Sequence, residues 1–294
     1  MTPLFTVLLS IHRPPFFLPF AIESVLQQTC KDFQLCVISD GAPQETVECA
    51  KDFARRDPRV KVFVFEKGDR HGEAHLHAVL TQSSARYVAH LEDDDLWFPN
   101  HLEELGTLLS DVDFGHVIHV WAHGDGSIEA LPCDLSIPEF RQRFLVEWSN
   151  RIGYSVCGYH LEAYQRLPEG WAPSPPRTWP DLHMWRKFYR MPDLRFGTRM
   201  VVTAIVLIKA EIQRIPEVAE VIAQVPAVSE VYSITGDYDL VAIVRVREHD
   251  ELADVIPGAL NKVDGVSATQ THIAFRTYSR HDLEAAFSIG VADA

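Results

Sequence analysis

Four carboxylates stand side by side in this chain, at Glu92, Asp93, Asp94 and Asp95. They follow one short apolar segment and precede another at residues 96–98. Adjacent carboxylates repel one another, by roughly 4 kcal/mol for a pair about 4 Å apart at an effective dielectric constant of about 20. Mg²⁺ or Mn²⁺ would offset this repulsion, because both cations take oxygen ligands and commonly share carboxylates with substrate phosphates. The run therefore predicts a metal and phosphate site.

A solvated acidic turn that caps the next helix is the alternative interpretation of this run. That helix has a start signal of its own, since Asn100 can serve as its N-cap and Glu103 can close a capping box. The four carboxylates then exceed what capping requires, which favours the metal site.

Short apolar strands alternate with amphipathic helices up to about residue 125, which predicts an α/β domain with a mostly parallel sheet. Ligands of such sheets bind beyond the carboxyl ends of the strands. Two acidic positions fall there, Asp40 and the run 92–95. A tight turn with Gly41 is the alternative role for Asp40. The predicted strands are 6–11, 34–39, 60–65, 87–91 and 116–122, and the predicted helices are 21–28, 45–56, 73–82 and 100–109.

The pattern changes after Arg199, where strands and helices follow in the order βαββαβ. This order predicts an α+β, ferredoxin-like domain over residues 200–294, distinct from the first domain over residues 1–199. A chain of 294 residues is also typical of two domains rather than one. The predicted strands of the second domain are 201–208, 228–234, 240–246 and 268–275.

Composition excludes several classes of protein. The formal net charge is −14, and no basic stripe is present, so nucleic-acid binding is not expected. The five cysteines lack C-x-x-C spacing, which argues against a disulfide framework and against a zinc site. No apolar stretch approaches the roughly 20 residues that span a bilayer. A cytoplasmic protein is expected, and peripheral association with the inner membrane stays open.

The first domain carries four segments that resemble, in order and spacing, the family 2 glycosyltransferases of the GT-A fold. The resemblance covers about residues 4–195 and implies transfer of a sugar from a nucleotide-sugar donor to an acceptor hydroxyl, with Mn²⁺ or Mg²⁺ as cofactor. One metal and one base on opposite sides of the anomeric carbon imply inversion. The four segments are Thr6–Ser10, Ala21–Thr29, Ser39–Gly41 and Leu91–Trp97.

The resemblance also implies roles for individual residues. Asp40 falls on the residue that holds the base or ribose of the donor. Asp94 falls on the direct metal ligand, with Asp93 and Asp95 supporting the metal or the ribose. Asp181 falls on the base that activates the acceptor. A helix N-cap is the alternative role for Asp181, and both roles can coexist.

The chain departs from the family pattern at two points. Glu92 stands where the family usually has Asp, and His75 and His77 stand where an Arg-Asn pair is frequent. Two residues apart, these histidines do not share a helix face. We therefore expect solvated helix histidines rather than metal ligands.

The second domain resembles the effector-binding (RAM) domain of Lrp/AsnC regulators over about residues 201–287, through Ile234–Leu240 and Thr271–Thr277. The resemblance implies a homo-oligomer that binds an amino-acid effector near Gly236, Asp237 and Asp239. No helix-turn-helix pattern precedes this segment, so DNA binding is not expected. A plain hairpin connection is the alternative for residues 236–239.

The leading hypothesis is a nucleotide-sugar-dependent glycosyltransferase fused to a small-molecule-sensing or oligomerising domain. Two alternatives stay open. One is a non-enzymatic, amino-acid-binding, oligomeric regulator whose first domain has lost activity. The other is an accidental fusion in which Met200 marks an old start codon.

Overall fold

The chain folds into two compact units that divide between residues 199 and 200. Each unit buries a hydrophobic core of its own. None of the helices in the described part of the chain has the length and hydropathy needed to cross a membrane. The computed structural model describes residues 2–118, 120–122, 128–130, 133–148, 150–199, 202–246 and 251–274.

The first unit is built from strands and helices that alternate along most of its length. Its strands are β1 (Phe5–Ile11), β2 (Phe33–Asp40), β3 (Val60–Phe65), β4 (Tyr87–Glu92), β5 (Phe114–Val117), β6 (Val120–Ala122), β7 (Ile128–Ala130), β8 (Cys157–His160) and β9 (Phe196–Arg199). Its helices are α1 (Leu18–Leu26), α2 (Gln44–Arg56), α3 (Glu73–Leu80), α4 (His101–Leu109), α5 (Pro138–Val146), α6 (Leu161–Gln165) and α7 (Pro180–Tyr189).

Seven of these strands form one sheet in the order β3-β2-β1-β4-β8-β5-β9. The first four in that order run parallel. Strand β8 is antiparallel to β4 and to β5, and β5 is parallel to β9. The predicted α/β fold with a mostly parallel sheet is confirmed.

The parallel strands end together at one edge of the sheet. Ser10 of β1 pairs with Glu92 of β4, and Ile11 pairs with Ser39 of β2. The residues that follow Ile11, Ser39 and Glu92 therefore meet at the same edge, and this register places Arg13, Asp40 and the acidic run there.

Helices cover both faces of this sheet. The first unit has one hydrophobic core on each face of the sheet. Because side chains alternate along a strand, neighbouring residues of β1 pack in different cores. Val7 and Leu9 pack with residues of α1, α2 and α4, whereas Leu8 packs with residues of α3 and α7. Each of these β1 side chains is fully buried, which stabilises the fold by about 1.5 to 3 kcal/mol per residue.

Two predictions about the strands and helices of the first unit are wrong. The strand predicted at 116–122 is divided, because β5 pairs with the four-residue strands β8 and β9 whereas β6 pairs with β7. The capping box of α4 does not form: Asn100 makes no side-chain cap, and Glu103 accepts a hydrogen bond from Thr29 at 2.7 Å. The side chain of Gln28 accepts the Leu102 N–H instead, at 2.8 Å.

The second unit has the predicted βαββαβ order. Its sheet is antiparallel, in the order β11-β12-β10-β13, which fits a ferredoxin-like domain. The ends of two predicted strands, Val201 and Phe275, lie outside the described residues. The elements are β10 (Val202–Ala210), α8 (Ile215–Ala223), β11 (Val228–Ser233), β12 (Leu240–Val246), α9 (Glu251–Val255) and β13 (Val266–Ala274).

The helices of the second unit pack against one face of its sheet. Alternate residues of β12, from Leu240 to Val246, are buried in this core with Val218 and Ile222 of α8. The opposite face carries an apolar patch on its central strands, and the described helices α8 and α9 do not cover it. It carries Ile205, which is 37% exposed, and Tyr232, which is 52% exposed, beside the half-buried Leu207, Val241 and Ile243.

Candidate functional site

The acidic run begins on the last residue of β4 and continues into the turn that follows. One carboxylate oxygen each from Glu92, Asp93 and Asp94 can be chosen so that all three lie within 4.8 Å of one another. Oxygen donors grouped in this way fit the coordination chemistry of Mg²⁺ and Mn²⁺. Among the residues that the structure describes, these three are therefore the group that could hold a divalent metal.

The guanidinium of Arg13 contacts the same three carboxylates. Its Nη2 lies 2.8 Å from Asp93 Oδ1 and 3.7 Å from Glu92 Oε2. It also donates two hydrogen bonds to Asp94, at 2.9 and 3.1 Å. The sequence analysis missed Arg13. The available signal was its place two residues after β1, at the sheet edge where the acidic run lies.

The surroundings of the acidic run raise the pKa of two of its carboxyls, those of Glu92 and Asp93. Burial raises the pKa of Glu92 to about 7. The negative charges of Asp95, Asp94 and Asp181 raise it further, whereas the positive charge of Arg13 lowers it. Burial also raises the pKa of Asp93, although Arg13 opposes the shift. A divalent cation would favour the ionised form of both carboxyls.

Asp95 points to a different partner. The hydroxyl of Ser155 donates to Asp95 Oδ2 at 2.5 Å and accepts the backbone N–H of Glu92 at 2.9 Å. The carbonyl of Ser155 accepts the indole N–H of Trp97 at 2.6 Å. Ser155 thus fixes the two ends of the acidic run, a second role that sequence analysis missed.

Asp40 ends β2 and is almost fully buried. Its carboxylate accepts the Gly68 N–H at 2.7 Å, forms an ion pair with Lys67, and lies 3.3 Å from His75 Nε2. Burial opposes ionisation, but the bonds from Lys67 and Gly68 and the charges of Lys67 and His75 outweigh it and lower the pKa of Asp40. Asp40 therefore carries a negative charge at neutral pH.

His75 belongs to this arrangement, so the expectation of a solvated helix histidine is wrong for it. Its ring stacks on Phe65 with centroids 4.4 Å apart, and its side chain is only 17% exposed. His77 faces elsewhere, with Nδ1 2.7 Å from the Tyr164 hydroxyl. The stacking was not predictable because it depends on how α3 docks beside the end of β3.

Two glycines let the chain approach Asp40. Gly72 has a φ of +74°, and a Cβ there would lie 2.5 Å from Asp40 Cγ. Gly41 has a φ of +65° and donates its N–H to Phe65 at 3.1 Å. Gly41 therefore forms a bend whose N–H bonds to the end of β3, and the carboxylate of Asp40 binds the connection between β3 and α3.

Asp181 is the second residue of α7, where the N-cap position is occupied by Trp179. Its carboxylate accepts hydrogen bonds from the Asn150 amide and the Leu182 N–H, both at 2.7 Å. Burial raises the pKa of Asp181 to about 6 against the effect of these bonds. The negative charge of Asp181 also contributes to the raised pKa of Glu92.

The segment before α7 is tied to the Asp40 side of the site. The carboxylate of Glu73 accepts the Ser174 N–H at 3.0 Å, and Arg70 donates to the Pro175 carbonyl at 3.3 Å. Glu73 is 1% exposed, and hydrogen bonds from Ser174 and His71 lower its pKa although burial opposes them. These contacts hold the approach to Asp181 beside the β3–α3 connection.

The residues singled out in the second unit lie together in the connection between β11 and β12. Gly236 has a φ of +130° with open space around it, and Asp237 is exposed. Asp239 accepts the Ala210 N–H at 2.9 Å, so its carboxylate links two neighbouring strands.

Relatives of this chain fall into two groups. A glycosyltransferase of Rickettsia bellii, itself uncharacterised, is 39% identical over 83 residues, which are 28% of this chain and 12% of that protein. An uncharacterised HTH-type transcriptional regulator of Pyrococcus horikoshii is 38% identical over 71 residues, 24% of this chain and 47% of that protein. The chain thus spans less than half the length of either relative.

One solved structure supports the fold of the first unit. A fragment of S. aureus TarS in complex with UDP matches with a TM-score of 0.51 at 14% identity, over 67% of this chain and 57% of that one. The Lrp/AsnC ligand binding domain matches residues 203–283. The glycosyl transferase family 2 matches residues 7–161, more than half of the 294 residues. With its GT-A sheet and the acidic run at the edge of that sheet, the chain belongs to glycosyl transferase family 2.

Proposed function

We propose that this protein is a metal-dependent, inverting glycosyltransferase that moves a sugar from a nucleotide-sugar donor to an acceptor hydroxyl. The observation that carries the proposal is the register of β1, β2 and β4, which brings Asp40 and the acidic run to one edge of the sheet. Asp181 adds a separate, half-buried carboxyl, whose negative charge contributes to the raised pKa of Glu92 in this run. Transfer from a nucleotide sugar needs these two functions, at the leaving group and at the acceptor.

The donor side consists of Asp40 and the acidic run. A divalent cation held by Asp94, with Asp93 and Glu92 beside it, would supply positive charge to the leaving diphosphate. Asp40 is charged and fixed at the same sheet edge, where its carboxylate can accept bonds from the base or ribose. TarS, which shares this fold, binds UDP in its solved structure, and that supports a nucleoside diphosphate as the donor portion.

The acceptor side consists of Asp181 and its support. Asn150 and the Leu182 N–H hold the carboxylate in one orientation. A base with a pKa of about 6 is ionised at neutral pH and still basic enough to take a proton from an attacking hydroxyl. Attack from the side opposite the diphosphate would invert the anomeric centre.

The second unit would assemble copies of the chain and bind a small effector. Its uncovered apolar face supports oligomerisation. Asp237, with its carboxylate exposed beside Gly236, is the stronger candidate for ligand contact. Asp239 already bonds to the backbone of β10.

A thermal-shift screen tests the proposal. UDP-, GDP- and dTDP-sugars are added to the full chain with Mn²⁺ or with a chelator. A ligand at 100 times its Kd stabilises the folded state by about 2.7 kcal/mol, so one donor class should raise the melting temperature only with metal. Amino acids are screened in parallel. A response to amino acids without any response to nucleotide sugars would favour the non-enzymatic regulator.

A further inference from the structure

Arg13 contacts the same three carboxylates that would hold the proposed metal. Its guanidinium lies within 3.7 Å of oxygens from Glu92, Asp93 and Asp94, the three residues able to hold a cation together. Asp94, the expected direct ligand, accepts two hydrogen bonds from it. A carboxylate oxygen that faces a guanidinium at 2.8 to 2.9 Å is not free to ligate a metal at about 2.1 Å from the same direction.

The backbone of Arg13 is fixed, whereas its side chain is partly exposed. Thr46, which is fully buried on α2, donates its hydroxyl hydrogen to the Arg13 carbonyl at 2.9 Å. The side chain is 41% exposed, whereas that of Asp93 is only 4% exposed. The long arginine side chain can therefore turn about this anchor while the carboxylates stay in place.

Charge explains why the acidic run can pair either with Arg13 or with a divalent cation. The three carboxylates carry up to three negative charges close together, and Arg13 neutralises one of them. A divalent cation would neutralise two and would repel the guanidinium. A nucleoside diphosphate then brings oxygens that accept paired hydrogen bonds from arginine. The displaced guanidinium thus has a new anionic partner within reach of its anchor.

We propose that Arg13 is an exchangeable counter-ion, which holds the acidic run together before the metal binds and then pairs with the donor diphosphate. The inference rests on the proposed function and assigns a positioning role within that site. It makes metal and arginine competitors for the carboxylates. It also makes donor binding depend on the same arginine.

Isothermal titration with Mn²⁺ alone and then with UDP at saturating Mn²⁺ tests this. The full chain is compared with Arg13→Ala and Arg13→Lys. Arg13→Ala should bind Mn²⁺ about tenfold more tightly, because it lacks the charged partner that competes with the metal for the carboxylates. Affinity for UDP should fall by about tenfold in the same variant. Arg13→Lys should bind Mn²⁺ as the wild type does but bind UDP more weakly, because lysine lacks the paired donors.

Arg55→Ala is the matched control. It removes one positive charge from the same unit, at a 62% exposed side chain whose ion pair with Asp52 lies on α2. It should change neither affinity. Thermal melts without metal check the fold: Arg13→Ala should melt below the wild type, and Mn²⁺ should raise its melting temperature by more than it raises that of the wild type.

Unchanged Mn²⁺ affinity in Arg13→Ala would overturn the inference, and so would unchanged UDP affinity. Equal effects of Arg55→Ala would assign any change to overall charge and would overturn it as well. The proposed function would fail in a different way. A wild-type chain that binds Mn²⁺ but none of the nucleotides would contradict it before any variant is compared. GDP and dTDP are titrated alongside UDP for this reason.

Discussion

Single carboxylates in this site differ sharply in exposure, and exposure decides what each substitution can reveal. Asp94 is 39% exposed whereas Asp93 is 4% exposed. Loss of charge at Asp94 therefore tests metal binding with little effect on the fold. Loss of charge at the buried Asp93 would affect metal binding and the fold together.

We expect Asp94→Asn to lose Mn²⁺-dependent binding of the nucleotide-sugar donor while its melting temperature without metal stays near that of the wild type. The amide keeps the shape of the side chain but removes the ligand charge. Asp264→Asn is the control, because Asp264 also pairs with an arginine, Arg214, at 2.8 Å but lies in the second unit. Turnover by Asp94→Asn at the wild-type rate would contradict the metal assignment.

Asp181→Asn should lower the transfer rate by about 10² or more and leave donor affinity unchanged. The amide can still accept the Leu182 N–H, so the geometry of α7 should persist. Transfer is measured as kcat with saturating donor, and donor affinity by titration. Weaker donor binding with normal transfer would make Asp181 a structural residue instead.

The pH dependence of the wild type gives the companion measurement. A base must be ionised, so transfer should rise as pH passes about 6 and level off above it. The sign for stability is opposite. Folding raises the pKa of Asp181 above 3.8, so its contribution to stability is fully present below that value and is lost as pH rises through about 6. Asp181→Asn should therefore gain stability relative to the wild type at pH 8 but not at pH 3.5.

At the scale of elements, the connection between β3 and α3 holds Asp40 through Gly68, Lys67 and His75. Gly72 permits this approach. We expect Gly72→Ala to weaken nucleotide binding strongly, because its Cβ would overlap Asp40 Cγ and its φ is +74°. Gly153→Ala is the control, since the nearest atom to its Cβ would be 4.0 Å away. Equal nucleotide affinity in the two variants would contradict the role of this connection.

Sequence patterns could predict most elements because strong local signals define them. Strand β3 lies at the predicted residues 60–65, and β1 differs from its prediction by one residue. The residues that were missed act through register instead. Arg13 meets Asp94 only because β1 pairs with β4, and His75 meets Asp40 only because α3 docks beside β3. No local pattern contains that information.

Capping of α4 shows that a local pattern can also predict a contact that does not form. The Asn100 and Glu103 pattern satisfied a local rule, yet Gln28 from the end of α1 supplies the hydrogen bond. A tertiary contact displaced the local one. The acidic run is still not used to cap α4, because Arg13 and Ser155 bind it instead.

At the scale of the whole molecule, the apolar sheet face of the second unit predicts self-association. We expect the isolated segment 200–294 to form at least a dimer, with Gly236, Asp237 and Asp239 near its interface, and Ile205→Asp to shift it toward monomer. Val221→Asp is the control, because Val221 is 50% exposed on α8, which packs on the opposite face. Light scattering that finds a stable wild-type monomer at micromolar concentration would remove this interface.

The hydrogen bonds of Ser155 give the protein an intrinsic optical probe. The indole of Trp97 bonds to the Ser155 carbonyl, and the hydroxyl of Ser155 holds Asp95. The ring also stacks on His101, whose pKa burial lowers to about 3, so this neighbour stays uncharged at working pH. Tryptophan fluorescence should therefore fall when paramagnetic Mn²⁺ binds and change little with Mg²⁺. No response to Mn²⁺ would show that the emission does not sense the metal, and equal responses to the two ions would show that paramagnetic quenching is not the cause. A Trp97→Phe variant that lost the Mn²⁺ response would assign the emission to this one residue, so metal occupancy could be followed without attaching any dye.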